Sequence, residues 1–230
     1  MFAFKKFIVH QQKAAMKVGT DGVLLGAWTN IPDGCKRILD IGTGTGLIAL
    51  MMAQRSPSSS ITGVEADESS AEQASENAGL SEWSPRIEIV HTKIQDYTPD
   101  VKFDLIVSNP PYYDGTLICP NPERTQARHT VSLTFKELTA SVERLITPQG
   151  RFSVIVPYES AYDLVVSGRL HLTRRCDIRT KPSKAPKRTR LEFSPAFAGA
   201  PVFEELSISD ANGGYTDRYR LLTSDFYLKL

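Results

Sequence analysis

Lys36-Arg37-Ile38-Leu39-Asp40-Ile41-Gly42-Thr43-Gly44-Thr45-Gly46 is a buried-strand run that ends in three glycines at alternate positions. Ile38, Leu39 and Ile41 supply the apolar side chains of a strand covered on both faces. Leu47–Arg55 follows at once, apolar nearly all round, and predicts a mostly buried helix stopped near Pro57. The alternation continues outward. Ser60–Glu65 predicts a second strand and Ser69–Ala78, rich in Ala, Glu and Gln, a second helix. Arg86–His91 alternates polar and apolar residues as a third strand does, and Phe103–Ser108 reads as a fourth. Leu133–Ile146 predicts a helix closed by Pro148 and Gly150, and Arg151–Val156 a fifth strand cut by Pro157. This alternation implies a mainly parallel sheet with helices on both faces. After residue 165 the order changes. His171–Thr180 and Arg188–Phe193 read as strands joined by the short link Lys181–Lys187, an antiparallel pair expected at one edge of the sheet. Tyr215–Leu230 reads as either a closing strand or an ordered tail.

Composition narrows the class. With 230 residues, 41% hydrophobic and 23% charged, the chain is of globular and not disordered type. Its apolar runs, such as Leu47–Ala53, are too short to cross a bilayer. The opening Met1–Phe7 lacks the order of a signal peptide, so the expectation is a cytoplasmic protein without a membrane partner. Cys35, Cys119 and Cys176 are far apart, and His10, His91, His129 and His171 are scattered, so no metal site is expected. Charge is unevenly spread. Arg169–Arg190 holds nine Lys and Arg against one acid, a net +8, while the other 18 bases and 25 acids sum to −7. A basic patch on an acidic body suggests a polyanionic partner.

The glycine loop carries the first chemical signal. Glycines between strand and helix let the backbone approach a ligand and adopt conformations closed to other residues. A nicotinamide-dinucleotide fingerprint needs G-x-G-x-x-G, and Leu47 stands where its last glycine belongs. The spacing Asp40-x-Gly42-x-Gly44-x-Gly46, with Glu65 at the end of the second strand to hold ribose hydroxyls, instead suits S-adenosylmethionine.

Asn109-Pro110-Pro111-Tyr112 carries the second. It follows the fourth strand, whose carboxyl end faces the same crevice as the glycine loop. Such a set suits a planar amine whose lone pair is delocalised into a ring. The Asn109 amide oxygen and the Pro110 carbonyl can take its two N–H bonds and free that lone pair. Paired prolines stiffen the turn and offer no competing N–H. Tyr112 can stack on an extruded base, and either it or Tyr113 can fill that role.

These two motifs together resemble the class I N-methyltransferases. The string Ala15-Met16-Lys17-Val18-Gly19-Thr20-Asp21-Gly22-Val23-Leu24-Leu25-Gly26-Ala27-Trp28 resembles more narrowly the opening of the bacterial tRNA1(Val) adenine-N6-methyltransferases, which modify adenine 37. The likeness extends to Ile94-Gln95-Asp96, Ala127-Arg128-His129 and Asp225-Phe226-Tyr227-Leu228, with Ala14 standing where the family has Cys. The resemblance implies that Asp96 accepts from the cofactor's adenine amine, with Gln95 and Ile94 lining that pocket. It implies that Glu65, beside Ala66, holds the ribose, and that Lys17, Thr20 and Asp21 cover the methionine end. Asp40, Gly42, Thr43, Gly44, Gly46 and Asn109 complete the cofactor set. Arg174, Arg175, Arg179, Lys181, Lys184, Lys187, Arg188 and Arg190 would grip tRNA phosphates. With six or so phosphate contacts the log–log salt slope for tRNA binding would have a magnitude of about 3 or more. Asp114–Thr130 is expected to order over the substrate base as a lid.

Rival readings are a DNA adenine or protein glutamine N-methyltransferase, and a catalytically silent RNA-binding protein. The first lacks an inserted segment large enough to read a duplex. The second usually has a helical domain before the catalytic one, and here the glycine loop begins about 40 residues in. The silent reading predicts substituted Gly or Asn positions, and none is substituted. A nicotinamide oxidoreductase conflicts with Leu47. The sequence therefore points to an α/β, Rossmann-like S-adenosylmethionine-dependent methyltransferase. Its expected form is a seven-stranded, mostly parallel sheet with an antiparallel terminal hairpin. It is expected as one domain: residues 1–35 covering the cofactor, 36–165 binding it, and 166–230 forming the basic hairpin and C-terminal segment. A monomer or weak dimer is expected.

Overall fold

The structure, a computed structural model, describes residues 1–14, 16–111 and 133–229. Strand β1 (Phe2–Ala3) pairs antiparallel with β2 (Ile8–Val9), and helix α1 (Thr20–Trp28) follows. Then come β3 (Arg37–Ile41), α2 (Leu47–Arg55), β4 (Ser60–Glu65), α3 (Glu68–Gly79), β5 (Ile87–His91) and β6 (Phe103–Ser108). After the undescribed segment come α4 (Phe135–Leu145), β7 (Ile146–Pro157) and α5 (Ala161–Val166). The chain closes with β8 (His171–Arg179), β9 (Arg188–Ser194), β10 (Val202–Ser207) and α6 (Asp217–Thr223).

Local chemistry sets the element ends. Asp67 caps α3 by accepting from the Ser70 N–H at 2.9 Å. Thr134 and Glu137 form a reciprocal capping box at α4. The strand after α4 begins at Ile146, five residues earlier than expected, because a register shift opposite Phe103 and Leu105 absorbs Pro148 and Gly150 at its irregular start.

The main sheet runs β10-β8-β9-β7-β6-β3-β4-β5. Among the described residues of this sheet, the antiparallel pairs are those of β9 with β7 and with β8. The parallel core and the terminal hairpin agree with the sequence, but the sheet has eight strands, not seven. The added strand, β10, pairs parallel with β8, so the hairpin lies inside the sheet and not at its edge. Within the expected closing strand or ordered tail, Asp217–Thr223 forms α6 and the described residues after it are ordered turns, with no closing strand.

Two apolar layers flank the sheet. One joins Val23, Leu24 and Leu25 of α1 and Ile48 and Met51 of α2 to Ile38, Leu105 and Val107. The other joins Leu138 and Val142 of α4 and Leu164 of α5 to Leu39, Ile106 and Phe152. In the first layer a Cβ on Gly26 would lie 2.6 Å from Met51 Sδ, so glycine here lets α1 sit close to α2 with Met51 in its present place. Chain ends meet on this side. Lys5 N–H donates to the Phe226 carbonyl at 2.8 Å, and Phe4 stacks on Tyr227.

Candidate active site and hairpin surface

Strand register assembles the site. Ile41 pairs with Val64 on one side and with Ser108 on the other. The glycine loop, Glu65 and Asn109 therefore leave three adjacent parallel strands at one end of the sheet, the end where open α/β folds bind ligands. Ser108 Oγ donates to the Ile41 carbonyl at 2.9 Å, fixing β6 to the strand that carries the loop.

Gly42, Gly44 and Gly46 all have positive φ, at 68°, 57° and 79°. Among the described residues a Cβ on Gly42 or Gly44 would meet nothing within 4 Å, whereas one on Gly46 would touch Ala74 of α3 at 3.4 Å. The first two glycines thus present bare backbone to open space, and the third closes the loop on α3. Asp40 lies beneath, fully buried. Its Oδ2 accepts from Thr43 Oγ1 at 2.6 Å and from the Ala49 N–H at 3.1 Å. Its Oδ1 has no partner, and burial pushes the carboxyl up to about 7. Asp40 and Thr43 thus shape the loop from inside.

Glu65 holds the loop from above. Its Oε2 accepts from the Gly44 N–H at 2.9 Å, and its Oε1 from the Ala66 and Asp67 N–H groups at 2.9 and 3.0 Å. Oε2 keeps acceptor capacity for a hydroxyl. Ile94 is buried, whereas Gln95 and Asp96 are exposed in the turn after β5. Arg144 of α4 fixes that turn by donating to the Tyr97 and Ile94 carbonyls at 2.6 and 2.9 Å.

The N-terminal segment reaches the same place. A Cβ on Gly22 would lie 3.0 Å from Leu47 Cδ2 and 3.9 Å from Asn109 Nδ2, so the start of α1 lies against both motifs. Lys17 and Thr20 are exposed there. Asp21 is engaged in an ion pair with Arg188 at 2.8 Å. Two residues absent from the sequence reading position this segment. Asn77, buried on α3, donates to the Thr45 and His10 carbonyls, both at 2.8 Å, and accepts from the His10 N–H at 2.9 Å. Gln73 accepts from the Lys13 N–H at 3.2 Å. Polar residues on the buried side of a helix were the available signal. Asn109 is half-buried, Pro110 buried and Pro111 exposed. Tyr112 and Asp114–Thr130 lie outside the described residues.

In the hairpin, the arginines expected to grip phosphate also meet partners within the fold. Arg174 pairs with Glu204 of β10 at 3.0 Å and lies 4.2 Å from the Trp28 ring centroid. Arg175 pairs with Asp177 at 2.8 Å and Arg179 with Glu205 at 3.0 Å. Arg190 is 2% exposed, beside Trp28 and Cys176. With Arg188 on Asp21, each of the five arginines of the set has a partner within the fold. Lys181, Lys184 and Lys187 at the turn remain exposed, and among the described residues none has a carboxylate partner. Because β8 runs parallel to β10 and antiparallel to β9, as β7 does, the turn projects at the end of the sheet that carries Asn109.

Among the described residues no helix is long and apolar enough to cross a membrane, and no His, Cys, Asp and Glu cluster could hold a metal.

Residues 19–167 match the methyltransferase small domain family. Solved structures share the fold: a predicted O-methyltransferase of Agrobacterium tumefaciens, 20% identical, superposes over 90% of this chain and 96% of its own with a TM-score of 0.72. A putative class I S-adenosylmethionine-dependent methyltransferase of Listeria monocytogenes, 17% identical, covers 86% of this chain and 68% of its own with a TM-score of 0.61. Among curated proteins, a Bacteroides thetaiotaomicron tRNA1(Val) (adenine(37)-N6)-methyltransferase is 45% identical over 100% of this chain and 98% of its own. A Proteus mirabilis protein of the same name is 44% identical over 99% and 93%. With its glycine loop and Asn-Pro-Pro turn on neighbouring strands, and with this likeness running end to end, the chain belongs to the tRNA1(Val) (adenine(37)-N6)-methyltransferase family.

Proposed function

We infer that this protein transfers a methyl group from S-adenosylmethionine to the exocyclic N6 of an adenine in RNA, adenine 37 of tRNA1(Val). The observation that carries this reading is the placement of the Gly42 loop and Asn109 at the carboxyl ends of two hydrogen-bonded parallel strands. The relatives named for that reaction support the substrate.

The site fits the cofactor. Gly42 and Gly44 leave open space over their backbone, Asp40 keeps an unpartnered oxygen under the loop, and Glu65 retains an acceptor site. Glu65 and Ala66 hold the ribose end, Ile94, Gln95 and Asp96 the adenine end, and Lys17, Thr20 and Asp21 cover the methionine end. When bound, the sulfonium supplies an electrophilic methyl with a good leaving group.

The chain's own residues position the acceptor. Asn109 Oδ1 and the Pro110 carbonyl accept the two N6–H bonds of the target adenine and turn its lone pair out of the ring. No strong base would be required: the sulfonium would leave as a neutral thioether, and the methylated N6, cationic at that moment, would lose its extra proton to water, so that positioning supplies most of the acceleration. Lys181, Lys184 and Lys187 contact phosphate. The test is nucleoside analysis of RNA methylated by the wild type and by Asn109→Ala. Methyl transfer to N6 of adenine that is lost in the variant supports the assignment. Undiminished transfer by the variant refutes the role of Asn109.

A further inference from the structure

Tyr158 stands just past the end of β7, the strand next to the one that ends in Asn109. It is 39% exposed, on the end of the sheet that presents the three lysines. Its N–H donates to the Lys187 carbonyl at 3.2 Å, which joins it to the basic turn. The Arg175 guanidinium lies over its ring, 5.2 Å from the centroid. Arg175 is itself fixed, with Nε and Nη2 donating to the two Asp177 oxygens at 2.8 and 3.3 Å. Thr189 Oγ1 donates to the same carboxylate at 2.8 Å. A four-residue chain of contacts therefore holds an aromatic ring in place at the turn that carries the exposed lysines.

We propose that Tyr158 is a substrate-positioning residue that stacks on an unpaired base flanking the target adenine in the RNA loop. This rests on the RNA-methyltransferase reading and extends it to a second base. Single-stranded RNA is bound by aromatic faces that take bases and by cations that follow the phosphates, and here the Tyr158 backbone is hydrogen-bonded to the turn that carries the lysines. Arg175 lies against one face of the ring, and the exposed part of the side chain is what the base would cover. The cation also orients the ring before RNA arrives, so less conformational freedom is lost on binding.

The test uses an anticodon stem-loop RNA with 2-aminopurine placed, in turn, on either side of the target adenine. Wild type and Tyr158→Phe quench the fluorescence at one of the two positions, and Tyr158→Ala does not. In methylation assays on the unlabelled RNA, Tyr158→Ala raises the RNA KM roughly 5- to 150-fold, as expected for one lost stacking contact. Its S-adenosylmethionine KM and thermal midpoint stay at wild-type values, which a merely structural role would not allow. Tyr158→Leu, which keeps apolar bulk without an aromatic face, behaves as Tyr158→Ala. If wild type methylates the RNA and Tyr158→Ala matches it in RNA KM and quenching, the proposal is overturned and the functional reading stands. If wild type methylates no RNA, the functional reading fails and the proposal falls with it.

Discussion

Arg188 Nε donates to Asp21 Oδ2 at 2.8 Å across 167 positions of sequence, tying the basic hairpin to the first turn of α1. Both side chains are about one-third exposed, at 35% and 29%, so solvent screens the pair. A double-mutant cycle with Asp21→Asn and Arg188→Gln should give a coupling of about 0.5–1 kcal/mol at low salt, shrinking as salt rises. Additive effects at low salt would show that the contact couples nothing.

The pairing of the arginines changes the expected salt dependence of RNA binding. Three exposed lysines releasing counterions give a log–log slope of magnitude about 2–3, below that expected if every base in the hairpin met a phosphate. Filter binding across a salt series measures it. Replacing Lys181, Lys184 and Lys187 together by Ala should remove most of the slope, and an unchanged slope in that variant would place the phosphate contacts elsewhere.

This contrast shows what the sequence could and could not disclose. The parallel core was legible because each strand is a short buried run followed by a helix, and the loop was legible because three glycines at alternate positions demand special backbone. Asp40 and Glu65 both hydrogen-bond that loop or the helix after it, Asp40 from beneath. β10 was hidden because Val202-Phe203-Glu204-Glu205-Leu206-Ser207 does not alternate cleanly and lies exposed at an edge. Missing that strand meant missing Glu204 and Glu205, the partners of Arg174 and Arg179. Charge composition counts bases but cannot show which are already paired.

Asp40 makes stability depend on pH. Its folded-state value of about 7 lies above the ordinary 3.8, so the fold binds this proton more tightly than the unfolded chain does. The stabilisation this gives is complete below about pH 4 and is lost as pH rises through about 7, at roughly 1.4 kcal/mol per unit inside that window. Asp40→Asn cannot ionise. Its thermal midpoint should therefore gain on the wild type between pH 4 and 7, and parallel melting curves for the two proteins would contradict the buried-acid account.

Asn77→Ala leaves the Thr45 carbonyl and both His10 backbone groups without their partner. A loss of about 2–4 kcal/mol is expected on denaturant unfolding. Hydrogen exchange should quicken in residues 8–13 while α4 is unchanged, and the S-adenosylmethionine KM should rise as the covering segment loosens. Unaltered exchange in residues 8–13 would separate Asn77 from the segment's position.

The most direct test follows the methyl group. Wild type and Asn109→Ala are incubated with methyl-labelled S-adenosylmethionine and unmodified tRNA1(Val) transcript, and the RNA is digested to nucleosides. The wild type should place label on N6-methyladenosine alone. The variant should still bind the cofactor while transfer falls at least about a hundredfold, the scale on which a lost transition-state hydrogen bond acts. Label on any other nucleoside, or a variant as fast as the wild type, would contradict the account.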